Sequence, residues 1–140
     1  MIYNYVGISI ILLLASITDI KHKIVSDKLL LAGVLAGLLL FAFNPQLRAV
    51  TLLVNIGIIG AILMVIYFLS KKALGLGDIK LIALMGLYIT LSEVFAVAFI
   101  AFILSGVLSG LLLLFGKVKK DSSIPFAPFL LVSSIFVFYF

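Results

Sequence analysis

Cysteine is absent from the 140 residues, which excludes disulfides, thiolate metal sites and thiol catalysis. Histidine occurs once, at His22, which argues against a His-based metal centre and against a Ser–His triad. Charge is also scarce: 11% of residues are Asp, Glu, Lys or Arg, while 66% are hydrophobic. A soluble domain runs nearer half apolar and a quarter charged. So little charge cannot cover a water-exposed surface, and most of the exterior must face lipid. With hardly any soluble face, the net charge of +5 does not point to nucleic acid. The expected fold class is an all-α, polytopic integral membrane protein, one membrane-embedded domain over residues 1–140.

The first apolar stretch is not read as a cleavable signal peptide. Such a peptide needs a basic start, a small-residue cleavage site and a soluble sequel. Residues 1–17 contain no Lys or Arg, and the rest of the chain is equally membrane-like. Since a helix needs roughly 20 apolar residues to cross the hydrocarbon, the apolar runs predict about six spans. These are residues 2–20, 27–43, 48–70, 78–91, 93–115 and 124–140. The fourth is short, rising only ~21 Å as helix. It must be extended by ordered loop or tucked inside the bundle, where irregular backbone is tolerated.

Basic residues in short loops favour the cytoplasm. With the amino terminus outside, the inner loops hold Lys21, Lys23, Lys28, Lys71, Lys72, Lys80, Lys117, Lys119 and Lys120, leaving Arg48 for the outer side. Both termini are therefore expected outside. Small residues recur four apart at Gly33/Gly37, Gly57/Ala61, Ser105/Ser109 and Gly106/Gly110. Such ridges let helices pack closely in a bilayer, and packing within the chain is the favoured reading.

Five acidic residues remain to be placed. Asp121, among lysines and serines, reads as solvated. Glu93 begins the fifth span, where a carboxylate favours the helix dipole. Asp27 follows Ser26 at a helix start, as an N-cap would. Asp19 is different: it ends the first span after sixteen uncharged residues and Thr18, and ionisable groups at membrane depth are costly and usually functional. Pairing with Lys23 one turn on is its plain alternative. Asp78 lies in Gly75-Leu76-Gly77-Asp78, between Lys71–Lys72 and Lys80. The glycines permit backbone paths closed to other residues and close approach by another chain.

The topology puts Asp19 and Asp78 at the same leaflet. Two close carboxylates cannot both ionise cheaply, so they share a proton. That supplies what peptide hydrolysis needs: one ionised group to take a proton from water and one protonated group to polarise the carbonyl. A Gly-rich, incompletely helical entry to the fourth span would hold substrate extended, as in strand addition.

Three segments resemble the type IV prepilin peptidase family, which includes preflagellin peptidases. The first is Asp19-Ile-Lys-His-Lys-Ile-Val-Ser-Asp-Lys-Leu29, similar to that family's first catalytic Asp, basic stretch, aliphatic and Leu. The second, Gly75-Leu-Gly-Asp-Ile-Lys-Leu81, looks like its Gly-x-Gly-Asp with the following Lys. The third, Ile124-Pro-Phe-Ala-Pro-Phe-Leu130, looks like its late Pro-Phe-Gly/Ala-Pro segment. Ser26 stands where the family often has Pro.

The resemblance implies an aspartic endopeptidase with Asp19 and Asp78 as catalytic dyad. It implies that a short basic leader is cut from a pilin-like precursor at the cytoplasmic face of the cell membrane, without cofactor or metal. Gly75, Gly77, Lys80, Asp27, Pro125 and Pro128 are the expected supporting or substrate-contacting residues. Lacking the paired-cysteine motif of bifunctional members, the chain is expected to cleave without N-methylation. The partners expected are the precursor and membrane lipid, with homo-oligomerisation left open. A small proton-relaying transporter or channel, or a non-catalytic subunit of a pilus or secretion machine, are the rival readings.

Overall fold

A computed structural model describes residues 2–43, 49–69, 75–116 and 124–140, with side chains from residue 53 onward in the second of these stretches. Six helices run in order: α1 (Ile2–His22), α2 (Asp27–Phe43), α3 (Ala49–Leu69), α4 (Leu76–Met85), α5 (Leu91–Leu114) and α6 (Ala127–Tyr139). No strand occurs among the described residues. The fold is that of an all-helical membrane protein, as composition requires. α1 and α5 are long and apolar enough to cross a bilayer on length and composition alone. Arg48, Lys71, Lys72, Lys117, Lys119, Lys120 and Asp121 lie outside the described residues.

α1 buries Asn4, Ile8, Ile11, Leu12, Ala15, Ser16 and Asp19. The steps of three and four residues mark one helix face, so Asp19 continues the buried stripe and points where the core does. That face packs on α6 and α2, and α6 in turn packs on α5. At the end away from Asp19, the Tyr5 hydroxyl donates to Glu93 Oε1 at 2.6 Å, and the Tyr5 ring stacks on Phe138 at 4.7 Å. Glu93 Oε2 also accepts from the Thr90 N–H at 2.8 Å and the Thr90 hydroxyl at 2.7 Å. Glu93 thus does more than favour its own helix start: it ties α5 to α1.

The anticipated shortness of the fourth span is real. α4 has ten residues, ~15 Å of rise, and lies against α2, α3 and α5. It is followed by Gly86, Leu87, Tyr88 and Ile89, all buried in non-helical backbone. Their N–H groups bond to the carbonyls of Ala83, Leu84 and Met85, which satisfies polar backbone that would otherwise be stranded in an apolar interior.

Close packing explains two of the glycine ridges' members and not the rest. A methyl group at Gly33 would fall 2.7 Å from Leu84 Cδ2 and 3.3 Å from Ile11 Cδ1; at Gly37 it would meet the Tyr88 ring at 3.1 Å. The Tyr88 hydroxyl donates to the Gly33 carbonyl at 2.5 Å. α2 and α4 therefore touch backbone to side chain. Around Gly57, Gly106 and Gly110, nothing described comes within 4 Å of an added Cβ, so close packing at these three glycines finds no partner among the described residues. Gly33→Val should destabilise the fold by about 1–3 kcal/mol, because Leu84 is buried and cannot swing clear. Thermal unfolding in detergent measures this, with Gly106→Val as an unaffected control.

Candidate active site

Four helix ends meet at one end of the bundle: the close of α1 and the starts of α2, α4 and α6. Asp19, 5% exposed, accepts a hydrogen bond at Oδ2 from the Ala127 N–H at 3.0 Å. Ala127 is the first residue of α6, whose own N-cap position, Phe126, supplies no side-chain bond. A free N–H at a helix start needs an acceptor, and the positive end of the helix dipole favours an anion. Asp19 fills both needs from another helix. Pro128 occupies the second position of α6, where a missing N–H costs little, and Pro125 precedes Phe126. The first and third family-like segments, 108 positions apart between Asp19 and Ala127, are therefore in direct contact.

Asp78 stands in the first turn of α4 and is half-buried. Its N–H bonds to the Gly75 carbonyl at 3.1 Å, so the segment turns sharply into the helix. The side chain folds back over Gly75: a Cβ there would lie 2.9 Å from Asp78 Oδ2. The charge of Asp19 acts on the Asp78 carboxylate. The acids, carried on two separate helices, thus influence each other electrostatically. Lys23, the alternative partner of Asp19, forms no ion pair with it among the described residues; its backbone N–H bonds to the Asp19 carbonyl at 2.7 Å.

Asp27 and Lys80 also come together, though not as expected. Asp27 sits in the first turn of α2, but its Oδ1 meets Lys80 Nζ at 2.8 Å, with side chains 80% and 56% exposed. The bond described for the Asp27 side chain therefore crosses to α4 instead of capping its own helix. An ion pair this wet contributes under about 1 kcal/mol. Lys80→Met is accordingly predicted to shift thermal stability by less than that, measured by melting in detergent.

Gly77 serves a close approach: a Cβ there would meet Val25 Cβ at 3.1 Å and the Val25 backbone N at 3.6 Å. Val25 and the Ala127 N–H are the members of this region that sequence reading passed over. The aliphatic pair Ile24-Val25 after a basic stretch was the one available signal for Val25. A backbone donor leaves no mark in a sequence.

An all-helical membrane protein with two interacting acids near helix ends defines a class; comparison with known proteins narrows it. The profile of the type IV leader peptidase family matches residues 6–111, and the chain belongs to that family. It is 27% identical over 143 residues to a prepilin leader peptidase/N-methyltransferase of Xanthomonas campestris pv. campestris, covering 98% of this chain and 50% of that protein. The chain thus spans about half the length of this curated relative. No solved structure matches.

Proposed function

We propose that the chain is a membrane aspartic endopeptidase that removes the short basic leader from a pilin-like precursor, using Asp19 and Asp78. The observation that carries this reading is that the two segments resembling the family's catalytic motifs meet in space, Val25 of the turn after Asp19 lying against Gly77 next to Asp78, in a chain matched by that family's profile.

The chemistry is that of the pair. One carboxylate, ionised, removes a proton from a water molecule as the water oxygen attacks the scissile carbonyl carbon. The other, protonated, gives its proton to the carbonyl oxygen, so the tetrahedral intermediate forms without a free oxyanion. Collapse breaks the C–N bond, returns a proton to the leaving amine and leaves a carboxylic acid on the leader. The pair ends with one shared proton, as it began. The Ala127 N–H holds Asp19 in place throughout, and Gly75 leaves the Asp78 carboxylate room to face it.

The lysine distribution supports a multi-pass arrangement in the cell membrane, with both termini outside and the acids at the cytoplasmic face. Glycines before Asp78 support an extended substrate beside the start of α4. The deciding experiment incubates purified protein in detergent with a pilin-like precursor and reads the product by amino-terminal sequencing and mass. Cleavage between leader and apolar segment is expected. An intact precursor, with folded enzyme present, refutes the proposal.

A further inference from the structure

α1 and α2 are joined by four residues, 23–26, beginning one turn after Asp19. Lys23 ends α1 with φ of 54° and closes on the Asp19 carbonyl. This left-handed stop is usually given to glycine, and a side chain there carries a steric cost. The chain that leaves it exposes Ile24 to 68% and buries Val25 to 7%. The turn thus delivers one side chain inward, and that side chain rests on Gly77.

The contact has no slack. A Cβ at Gly77 would lie 3.1 Å from Val25 Cβ and 3.3 Å from Val25 Cγ2. Gly77 immediately precedes Asp78, and two residues beyond Val25, Asp27 reaches Lys80 on the next turn of α4. The connection that starts at Asp19 therefore bears directly on the turn that carries Asp78. Gly77 carries no Cβ, so Val25 fills the space that glycine leaves, and any side chain there would have to push the loop and the start of α4 apart.

We infer that Val25 is a positioning residue: seated on Gly77, it sets how near the first turn of α4, and with it Asp78, comes to Asp19. The inference rests on the proposed dyad, since only a reaction shared by the two acids would feel the spacing. Val25 touches no reacting atom.

A two-residue cycle tests it, with turnover of a purified type IV prepilin as readout and melting in detergent alongside. Gly77→Ala should lower kcat about 10- to 100-fold, the scale of an ångström-size misplacement, with KM and melting little changed. Val25→Gly should have a smaller effect alone. Together they should be faster than Gly77→Ala alone, because removing Val25 Cβ and Cγ2, the atoms 3.1 and 3.3 Å from the new methyl, returns the space it takes. Independent structural defects would instead multiply, so a double variant no faster than Gly77→Ala overturns the inference. Should Gly77→Ala fail to fold, Val25→Leu pushes on the same contact from the loop side, and an undiminished kcat there overturns it equally. Asp19→Asn and Asp78→Asn run in parallel. If either cleaves normally, the dyad itself is wrong; if both are dead and the cycle is multiplicative, only the spacer is wrong.

Discussion

Replacing Asp19 by Asn should reduce precursor cleavage by on the order of 10³-fold, the scale of a lost general acid–base group, and Asp78→Asn should do the same. The two positions then part company in stability. Asn at 19 keeps a carbonyl oxygen for the Ala127 N–H, so the start of α6 stays bonded and the protein should melt near the wild-type temperature. Asp19→Ala removes that acceptor and leaves a buried N–H unsatisfied, costing about 1–3 kcal/mol. The pattern to look for is three inactive proteins of which only the alanine variant at 19 is fragile. An Asn variant that processes precursor at the wild-type rate would remove the dyad from the mechanism. Because the pair works with one proton between two groups, wild-type kcat/KM should also rise and then fall with pH.

Gly75→Ala is the second large effect, and it should fall on rate instead of stability. The added methyl would lie 2.9 Å from Asp78 Oδ2, a distance no relaxed structure keeps. What gives way is the end of a flexible side chain, so the fold yields cheaply. The carboxylate is displaced from its place over Gly75, and a misplaced catalytic group costs up to about 10²-fold. Turnover should therefore drop while the melting temperature holds. A fall in both together would mean that Gly75 matters to the helix start and not to the acid.

How much of this could be read from the chain depended on where the information resides. Helix number and type came from apolar runs, since nothing else explains 66% hydrophobic residues. The shortness of α4 was visible in the distance between Asp78 and the polar residues after Leu91. Asp19 stood out as an acid ending an otherwise uncharged span, but α1 is apolar on every side, so the face it shares with Asn4 and Ile8 emerges only from the packing. The partners of the acids were less legible. Asp27 looked like a cap because caps are local, whereas its bond to Lys80 spans 53 positions and depends on how α2 and α4 cross. The glycine ridges looked alike in sequence, yet Gly33 and Gly37 meet a neighbour while Gly106 and Gly110 do not. Which ridge finds a partner is a property of the bundle, not of the spacing. Asp19's bond to Ala127 was invisible because the donor is main chain.

The α1–α6 pair is fastened at both extremities, by Tyr5 against Phe138 and by Asp19 against Ala127, points ~21 Å apart along α1. A beam clamped twice cannot tilt or slide much. Mechanically, then, α1 and α6 form one braced unit, and the carboxylate of Asp19 is held by that unit and not by its own helix alone.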